Sequence, residues 1–310
     1  MRAVRRTGNG IEMVEVPEPE GDGVVVHVQS AGICGSDLHG FGSRGITIGH
    51  EFGGLLDDGT PVAVRPNIVC GTCEFCLRGE ENLCLDATRR LIGMGLDGGM
   101  AERIVVPEQT LFPLPVGLPV EACALVEPLS VSLHAVHRGG IEPGMRVLVI
   151  GAGSIGLTAV LAARSMGVDV DVLARHPHQR DAADALGGIV RAEAGYDVVI
   201  DSVGSQAAIE ESIDRARYGG VVVEVGGFWT PVSIGPLSLL KEVSMVPAIY
   251  AAHHHGESEF AAAAAVIAMH PDACSVLVTH RFPLERAAEA FEAAADKSSG
   301  AIKVQLTPLA

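Results

Sequence analysis

Residues 145–167 read MRVLVIGAGSIGLTAVLAARSMG, and this stretch decides the fold of the second half of the chain. An apolar strand, 145–150, leads into three spaced glycines, and apolar residues at helical spacing follow. A strand, a G-x-G-x-x-G turn and a helix in this order predict a dinucleotide site. Gly151 makes the tight turn, Gly153 lets backbone N–H groups approach a pyrophosphate, and Gly156 lets helix and strand pack closely. The predicted cofactor-binding residues here are Gly151, Gly153, Ser154, Ile155 and Gly156.

The next apolar stretch, 168–174 (VDVDVLA), predicts the second strand, and its end bears on the choice of cofactor. Folds that bind NAD usually place Asp or Glu there, about 20 residues beyond the glycines. Here Ala174 and Arg175 occupy that place, with Arg180 close behind. A carboxylate would repel a 2′-phosphate, whereas a guanidinium can hold one with two hydrogen bonds. The sequence therefore favours NADP over NAD through Arg175 and Arg180. The alternative is a solvent-facing Arg175 with NAD held by other contacts.

Three further strands are predicted at 196–201, 221–227 and 244–250, with a helix over SQAAIEESIDRAR between the first two. This alternation of strands and helices predicts a parallel, doubly wound α/β sheet. Such sheets bind ligands just beyond the carboxyl ends of their strands. We therefore expect Val203 and Gly204 to contact the cofactor.

Four cysteines lie close together in the run CGTCEFCLRGEENLC, at Cys70, Cys73, Cys76 and Cys84. Four thiolates at this spacing suit a tetrahedral Zn²⁺ site in which every position is filled. Such a site is structural, so the chemistry must lie elsewhere. Disulfides are the alternative, but neighbours at this spacing rarely have the geometry to pair.

Cys34 and His50 are the first residues that could form a second metal site. A catalytic zinc takes three protein ligands and leaves the fourth position to water or substrate. The third ligand must therefore come from elsewhere. Glu51, next to His50, and Glu127, in LVEPLSVSLHAV, are both candidates.

Composition narrows the class of protein. The chain has 310 residues, enough for two domains, and a formal charge of −16. That charge argues against nucleic acid or an anionic membrane as a partner. The chain shows no apolar run of membrane-spanning length, and its basic N-terminus is not followed by the apolar segment of a signal peptide. Seven cysteines, four of them assigned to a metal, fit a reducing, cytoplasmic compartment.

The order of the motifs identifies a family. CGSDLH, GHEFGGLLDDG, the four-cysteine run, LVEPLSV, VLVIGAGSIG and THRFPLERAAEAFEAAADKSSGAIKV together resemble the zinc-dependent medium-chain dehydrogenases. Within that family the chain looks most like the sorbitol, threonine and other polyol dehydrogenases, which carry Glu-Pro where alcohol dehydrogenases carry Cys. The resemblance implies a discontinuous GroES-like β-barrel catalytic domain, 1–121 and 275–310, and a Rossmann domain, 122–274. It also implies a cleft between them for zinc, nicotinamide and substrate, and a homodimer or homotetramer.

The resemblance also implies the metal ligands of the catalytic site. Cys34, His50 and either Glu51 or Glu127 would bind the zinc, and the other glutamate would be water-mediated or exchanging. Sequence alone leaves that choice open. The segment GFGSRGITIG, between His39 and His50, is shorter than in relatives, and it normally forms part of the substrate cleft.

Three residues near Cys34 gain catalytic roles from the resemblance. Asp37 would orient the histidine ligand, and Ser36 would begin the proton relay from the substrate alcohol. His39 would extend that relay or bind the cofactor ribose, unless it is a surface residue. Whichever of Glu51 and Glu127 is not bound to the metal would buffer the metal-bound water.

The sequence thus predicts reversible oxidation of a secondary alcohol or polyol to a ketone with NADP⁺. One alternative is an enzyme of the same fold that acts on an aldehyde or an amino alcohol with NAD. The other is a zinc-stabilised NADPH-binding protein without turnover.

Overall fold

The computed structural model describes residues 1–40, 42, 44–87 and 89–308. The chain forms two compact units, Met1–Glu127 with Ala252–Ala310, and Pro128–Ala251. The first unit is thus made from two pieces that flank the second in sequence. The sequence places the domain boundaries after residues 121 and 274, which differ from the limits of these two compact units. The domain boundaries remain a prediction. Phe41 and Ser43 of the shortened segment lie outside the described residues.

The first piece of the first unit is built mostly from short strands. In β3 the side chains of Val26 and Val28 are buried and those of the residues between and beside them are half-buried, the period of two expected of a strand. The elements are β1 (Arg2–Thr7), β2 (Gly10–Glu15), β3 (Val24–Gly32), α1 (Gly35–Leu38), β4 (Glu51–Leu55), β5 (Pro61–Val64), α2 (Glu74–Leu77), β6 (Arg103–Val106) and β7 (Leu111–Pro113), with 3₁₀ turns at Glu81–Leu83, Glu108–Thr110 and Val120–Leu125.

The second unit alternates strands with helices. Its six strands are all parallel and lie in the order β10-β9-β8-β11-β12-β13, so the predicted doubly wound sheet is confirmed. The elements are α3 (Val126–Arg138), β8 (Val147–Ile150), α4 (Ser154–Ser165), β9 (Val170–Leu173), α5 (Pro177–Ala185), β10 (Ile189–Val190), β11 (Tyr196–Asp201), α6 (Gln206–Arg215), β12 (Ala216–Glu224), α7 (Pro236–Leu240) and β13 (Ser244–Pro247).

Several strand boundaries in this sheet differ from the prediction. β8 begins at Val147 instead of 145, β9 spans Val170–Leu173 instead of 168–174, and β12 ends at Glu224 instead of 227. β12 begins at Ala216 instead of 221, and its pairing with β11 contains an irregularity after Tyr196. β13 ends at Pro247 instead of 250. Proline has no N–H to extend the ladder, and Tyr250 has a φ of +60°, which extended strands do not adopt.

The C-terminal piece returns to the first unit. β17 pairs antiparallel with β3, and together they belong to a seven-stranded sheet in the order β16-β17-β3-β4-β5-β7, with β6 also paired to β3. The last strand therefore lies beside the strand that leads to Cys34. The elements are β14 (His253–His254), β15 (Glu257–Ser258), α8 (Glu259–Met269), α9 (Ala273–Leu277), β16 (Val278–Phe282), a 3₁₀ turn (Leu284–Arg286), α10 (Ala287–Ala295) and β17 (Lys303–Leu306).

Apolar side chains from both pieces form the core of the first unit. Val28 and Phe52 from the first piece share this core with Phe291 and Leu306 from the second. Among the described residues, the structure has no helix with the length and apolar character needed to span a membrane.

Candidate functional site

Four cysteine sulfurs come together in one lobe of the first unit. The sulfurs of Cys70, Cys73, Cys76 and Cys84 all lie within 4.8 Å of one another. Cys73 is the N-cap of α2, and Cys84 directly follows a 3₁₀ turn. The two turns thus aim the thiols inward. The structure describes all seven cysteines of the chain, and all of them are free thiols.

The chemistry of these four thiols fits a cation. The Cys70 sulfur accepts backbone N–H groups of Thr72 and Cys73, which lower the pKa of Cys70 to about 6. Burial raises the pKa of Cys76 to about 12. Zinc would let all four sulfurs be thiolates at once, since a bound metal displaces the thiol proton. The predicted ligand set therefore suits Zn²⁺.

A second group forms where β3 ends and β4 begins. One ligand atom each of Cys34, His50 and Glu51 lies within 4.8 Å of the others, and the histidine and glutamate are buried. The antiparallel register of β3 and β4 sets Gly32 opposite Glu51. A Cβ at Gly32 would lie 2.3 Å from Glu51 Oε2, so glycine is needed beside this carboxylate.

Asp37 stands behind this group. Its Oδ2 accepts the backbone N–H of Cys34 at 2.9 Å, and its Oδ1 lies 3.7 Å from His50 Nδ1. In the described part of the chain, His50 Nδ1 has no hydrogen-bond partner although it is buried. Burial lowers the pKa of His50, but the fields of Cys34 and Asp37 outweigh it and hold that pKa well above its usual value. A metal ion would reverse this preference for a proton, because only a neutral histidine coordinates.

Glu51 also forms a buried ion pair. Lys303 Nζ lies 2.5 Å from Glu51 Oε2 and donates a second hydrogen bond to the carbonyl oxygen of Ile33 at 3.1 Å. The side chains of Lys303 and Glu51 are only 2% and 1% exposed. One carboxylate oxygen is therefore held by a lysine beside the candidate metal ligands.

Glu127, in the first turn of α3, shares the same electrostatic neighbourhood. Burial raises its pKa to about 7; the field of His50 opposes this rise, and the charge of Glu51 adds to it. It is not one of the three residues whose ligand atoms group within 4.8 Å. Both glutamates therefore remain candidates for the third ligand.

The predicted relay residues lie on α1. Ser36 Oγ is buried and makes no hydrogen bond within the described residues. His39, the C-cap of α1, is exposed. No hydrogen bond from the described residues therefore fixes the serine hydroxyl, whereas the histidine lies at the surface, one of the positions expected for it.

The glycine turn of the second unit has the predicted form. Gly151 has a φ of +91°, and a Cβ at Gly156 would lie 1.9 Å from the carbonyl oxygen of Gly151. Gly153 is the N-cap of α4, and a Cβ added there meets nothing within 4 Å in the described chain. Ser154 Oγ is buried without a described partner. Open space and free N–H groups at a helix N-terminus suit a pyrophosphate.

The end of β9 carries the two arginines on which the predicted preference for NADP depends. Arg180 donates to the carbonyl oxygens of Ala174 and Arg175 at 3.0 and 3.2 Å, so it closes the end of the strand. Arg175 is exposed. The rings of His176 and His178 stack beside them with centroids 5.5 Å apart.

Comparison with known proteins decides the family. Residues 20–116 match the alcohol dehydrogenase GroES-like domain, and residues 154–268 match the zinc-binding dehydrogenase domain. The chain is 32% identical to L-galactonate-5-dehydrogenase of Escherichia coli (strain K12), over 90% of this chain and 89% of that protein. The chain belongs to the zinc-dependent medium-chain dehydrogenases. As a medium-chain dehydrogenase it is an oxidoreductase with a GroES-like domain and a Rossmann domain, a fold that uses zinc and NAD(P).

Two further relatives support this assignment. Sorbitol dehydrogenase of Bacillus subtilis (strain 168) is 30% identical, over 96% of this dehydrogenase and 94% of the relative. A protein described as a zinc-binding dehydrogenase, from Sinorhizobium meliloti 1021, was solved with NADP bound. It is 30% identical, with a TM-score of 0.87 over 99% of both chains.

Sequence reasoning did not give Lys303 a role in this dehydrogenase. Its signal is a lysine inside the apolar strand AIKVQL, where a buried charge requires a partner. The partner, Glu51, is 252 residues away in the sequence. Only the pairing of β17 with β3 reveals it.

Proposed function

We propose that this medium-chain dehydrogenase oxidises a secondary alcohol group of a polyhydroxylated substrate to a ketone, reversibly and with NADP⁺. The observation that carries the proposal is the group of Cys34, His50 and Glu51, which offers sulfur, nitrogen and oxygen ligands in one buried place. Three protein ligands leave one position of a tetrahedral zinc for substrate. The four-cysteine lobe has no such vacancy.

The side chains of the site divide the work of the reaction. When bound, zinc supplies a Lewis acid that lowers the pKa of the substrate hydroxyl, and NADP⁺ supplies the hydride acceptor. The Asp37 carboxylate accepts the backbone N–H of Cys34 and faces His50. It therefore fixes the positions of two of the proposed metal ligands. In the proposed relay, Ser36 Oγ takes up the hydroxyl proton and releases its own proton toward solvent water. Lys303 holds one Glu51 oxygen and restrains that carboxylate.

We assign two zinc ions to each chain, one at the four cysteines and one at Cys34 and His50. The choice between Glu51 and Glu127 as third ligand follows from zinc content and activity of Glu51→Gln and Glu127→Gln. The direct ligand is the one whose amide variant loses the second zinc. An NADPH-binding protein without turnover would instead hold one zinc and show no rate with any alcohol.

The preference for NADP⁺ rests on the end of β9. Arg175 is exposed there, and residues 174–180, directly after the strand, contain no carboxylate. A 2′-phosphate needs positive charge in a protein of net charge −16. The relative solved with NADP supports the same choice.

The proposed substrate class follows from the substrates of two relatives, and an activity assay can test it. Sorbitol and galactonate, named in two of them, both carry secondary hydroxyl groups. From a panel of substrates, we expect NADP⁺ reduction with sorbitol, L-galactonate or 2,3-butanediol, and none with the amino alcohol threonine or with a primary alcohol. Cys34→Ala should abolish the rate, and the matched control Cys274→Ala should keep it. Turnover with the primary alcohol or threonine alone, using NAD⁺, would favour the alternative activity.

We also propose that the chain forms homo-oligomers through β13. This strand ends the sheet order of the second unit as described. Leu239, Leu240 and Ile249 near it are 79%, 71% and 54% exposed, and an exposed apolar group beside a strand edge marks an interaction surface. Leu240→Asp should reduce the mass measured by light scattering to that of one chain. Wild-type protein that is already monomeric would refute this proposal.

A further inference from the structure

Two carboxyl groups lie side by side at the ends of adjacent strands in the second unit. Asp201 is the last residue of β11 and Glu224 the last of β12, and the two are partners in the parallel register. Ile150 and Pro247 continue the same row on β8 and β13. Register partners project to the same face of a sheet, so the two acids face each other. Asp201 is 0% and Glu224 7% exposed.

The surroundings of the two carboxyl groups differ. Asp201 Oδ1 accepts the backbone N–H groups of Val203 and Gly204 at 2.7 and 3.1 Å, just before α6. Asp201 Oδ2 and both Glu224 oxygens have no hydrogen bond of standard geometry among the described residues. Backbone N–H groups stabilise an ionised carboxylate. The negative charge therefore belongs on Asp201, and a proton belongs on Glu224.

The loops next to the two acids carry no positive charge that could offset the negative charge of the pair. The segments 151–156, 202–206 and 225–240, which follow the central strands, contain no charged residue. Burial, and then the charge of Asp201, raise the pKa of Glu224 to about 8. The flanking partners Ile150 and Pro247 are uncharged.

The charged groups on α6 and next to α7 either pair with other residues or lie away from Glu224. On α6, Glu211 binds Arg215 and Glu210 binds Gln206, while Asp214 is exposed. Lys241, after α7, donates to the carbonyl oxygens of Ile213, Asp214 and Ala216, at the opposite end of β12 from Glu224. Glu224 thus has Asp201 as its charged neighbour.

The pair holds the two loops that follow its strands. Val203 and Gly204 bind the Asp201 carboxylate, while the N–H groups of Val225 and Gly226 both donate to the Asp201 carbonyl oxygen at 3.0 Å. A Cβ at Gly204 would lie 2.6 Å from the carbonyl oxygen of Gly226, so the loops are in close contact. The shape of both loops depends on where Asp201 sits.

We propose that Glu224 is a positioning residue whose protonated carboxyl group donates a hydrogen bond to Asp201 and holds loops 202–204 and 225–227 in the conformation that binds the nicotinamide cofactor. The inference rests on the proposed cofactor binding. Release of the proton to water leaves two buried carboxylates in contact, and their repulsion displaces the loops. The added negative charge also opposes binding of an anionic dinucleotide. Cofactor affinity then falls as the pH rises past the point where Glu224 ionises.

The test compares NADPH affinity of wild type and Glu224→Gln from pH 7 to 9.5, by fluorescence titration. The amide keeps the shape and a hydrogen for Asp201 but does not titrate. We expect the wild-type Kd to rise about tenfold, the change that one unit of pKa difference between free and bound protein produces, and the variant Kd to change little. Glu210→Gln, an exposed site on α6, should follow the wild-type profile.

The outcomes separate this inference from the proposed function. Parallel pH profiles for wild type and Glu224→Gln overturn the positioning role, with cofactor binding intact. A wild type that binds no dinucleotide at any pH overturns both. Unfolding without cofactor gives a second readout. A raised pKa in the folded state means that wild type loses Tm relative to Glu224→Gln as the pH rises from about 4.5 to about 8, and loses no more above that. A Tm difference that is constant with pH also overturns the inference.

Discussion

Lys303 Nζ lies 2.5 Å from Glu51 Oε2, and this contact joins the last strand of the chain to the candidate catalytic metal ligands. Both side chains are almost completely buried. Because the same carboxylate belongs to the group that includes Cys34 and His50, a metal ion held there would share its negative charge with the lysine. The C-terminal strand is thus part of the site and not only of the fold.

Removal of this lysine should destabilise the zinc-free protein most. Lys303→Met leaves Glu51 as a buried charge without its partner, which costs roughly 3–5 kcal/mol. Bound zinc supplies positive charge beside Glu51, so the loss should be smaller in the zinc-loaded protein. Urea unfolding before and after chelation measures both values. Arg286→Met, which breaks an exposed pair with Glu289, is the control and should cost at most about 1 kcal/mol. An equal loss of unfolding free energy with and without zinc would show that Lys303 does not interact with the metal site.

A methyl group at Gly153 should block the cofactor without harming the fold. A Cβ at this position meets only open space within the described chain, so Gly153→Ala should keep its Tm. The same methyl group would occupy the place of the pyrophosphate, and we expect the NADPH Kd to rise at least about tenfold. Gly8→Ala, in the open turn between β1 and β2, is the matched control. Unchanged affinity in Gly153→Ala would mean that the pyrophosphate binds elsewhere.

Reversal of charge at Arg175 should reverse the cofactor preference. Arg175→Asp removes a cation from the 2′-phosphate and adds the carboxylate that binds a ribose hydroxyl. The ratio of kcat/KM for NADP⁺ to that for NAD⁺ should fall below one. Arg138→Asp, at the end of α3, serves as a control for net charge. If Arg175→Asp keeps the wild-type ratio, the end of β9 does not select the cofactor.

Asp197 should contribute stability only above acidic pH. The backbone N–H of Arg146 and the guanidinium of Arg217 hold the pKa of Asp197 below its usual value. A lowered folded pKa means that the contribution is present above the unfolded pKa, about 3.9, and is lost as the pH falls through the folded value. Asp197→Asn should therefore lower Tm at pH 7 and converge with wild type in acid. A Tm difference that persists at the lowest pH would show that the pKa shift is not its cause.

Local patterns predicted much of this structure. The glycine turn at Gly151 and the four-cysteine lobe depend on residues close in sequence, so their geometry could be predicted directly. The parallel sheet followed from the alternation of strands and helices. What could not be read was strand register. Neither the contact of Lys303 with Glu51 nor that of Asp201 with Glu224 exists until specific strands pair.

Strand ends show the same limit. β13 stops at Pro247 because the backbone beyond it leaves the extended conformation. The apolar residues that continue to Tyr250 had predicted a longer strand. The third ligand of the metal group also depends on packing. Glu51 follows His50 in sequence, whereas Glu127 reaches the same neighbourhood through the start of α3. The sequence alone does not show which of the two glutamates is the third metal ligand.

The proposed reaction requires a second, catalytic zinc at Cys34 and His50. Zinc content per chain, measured by mass spectrometry on purified wild type and His50→Ala, tests it most directly. We predict two zinc ions in wild type and one in His50→Ala, because the four-cysteine lobe keeps its own ion. One zinc in both proteins, or two in both, would contradict the account.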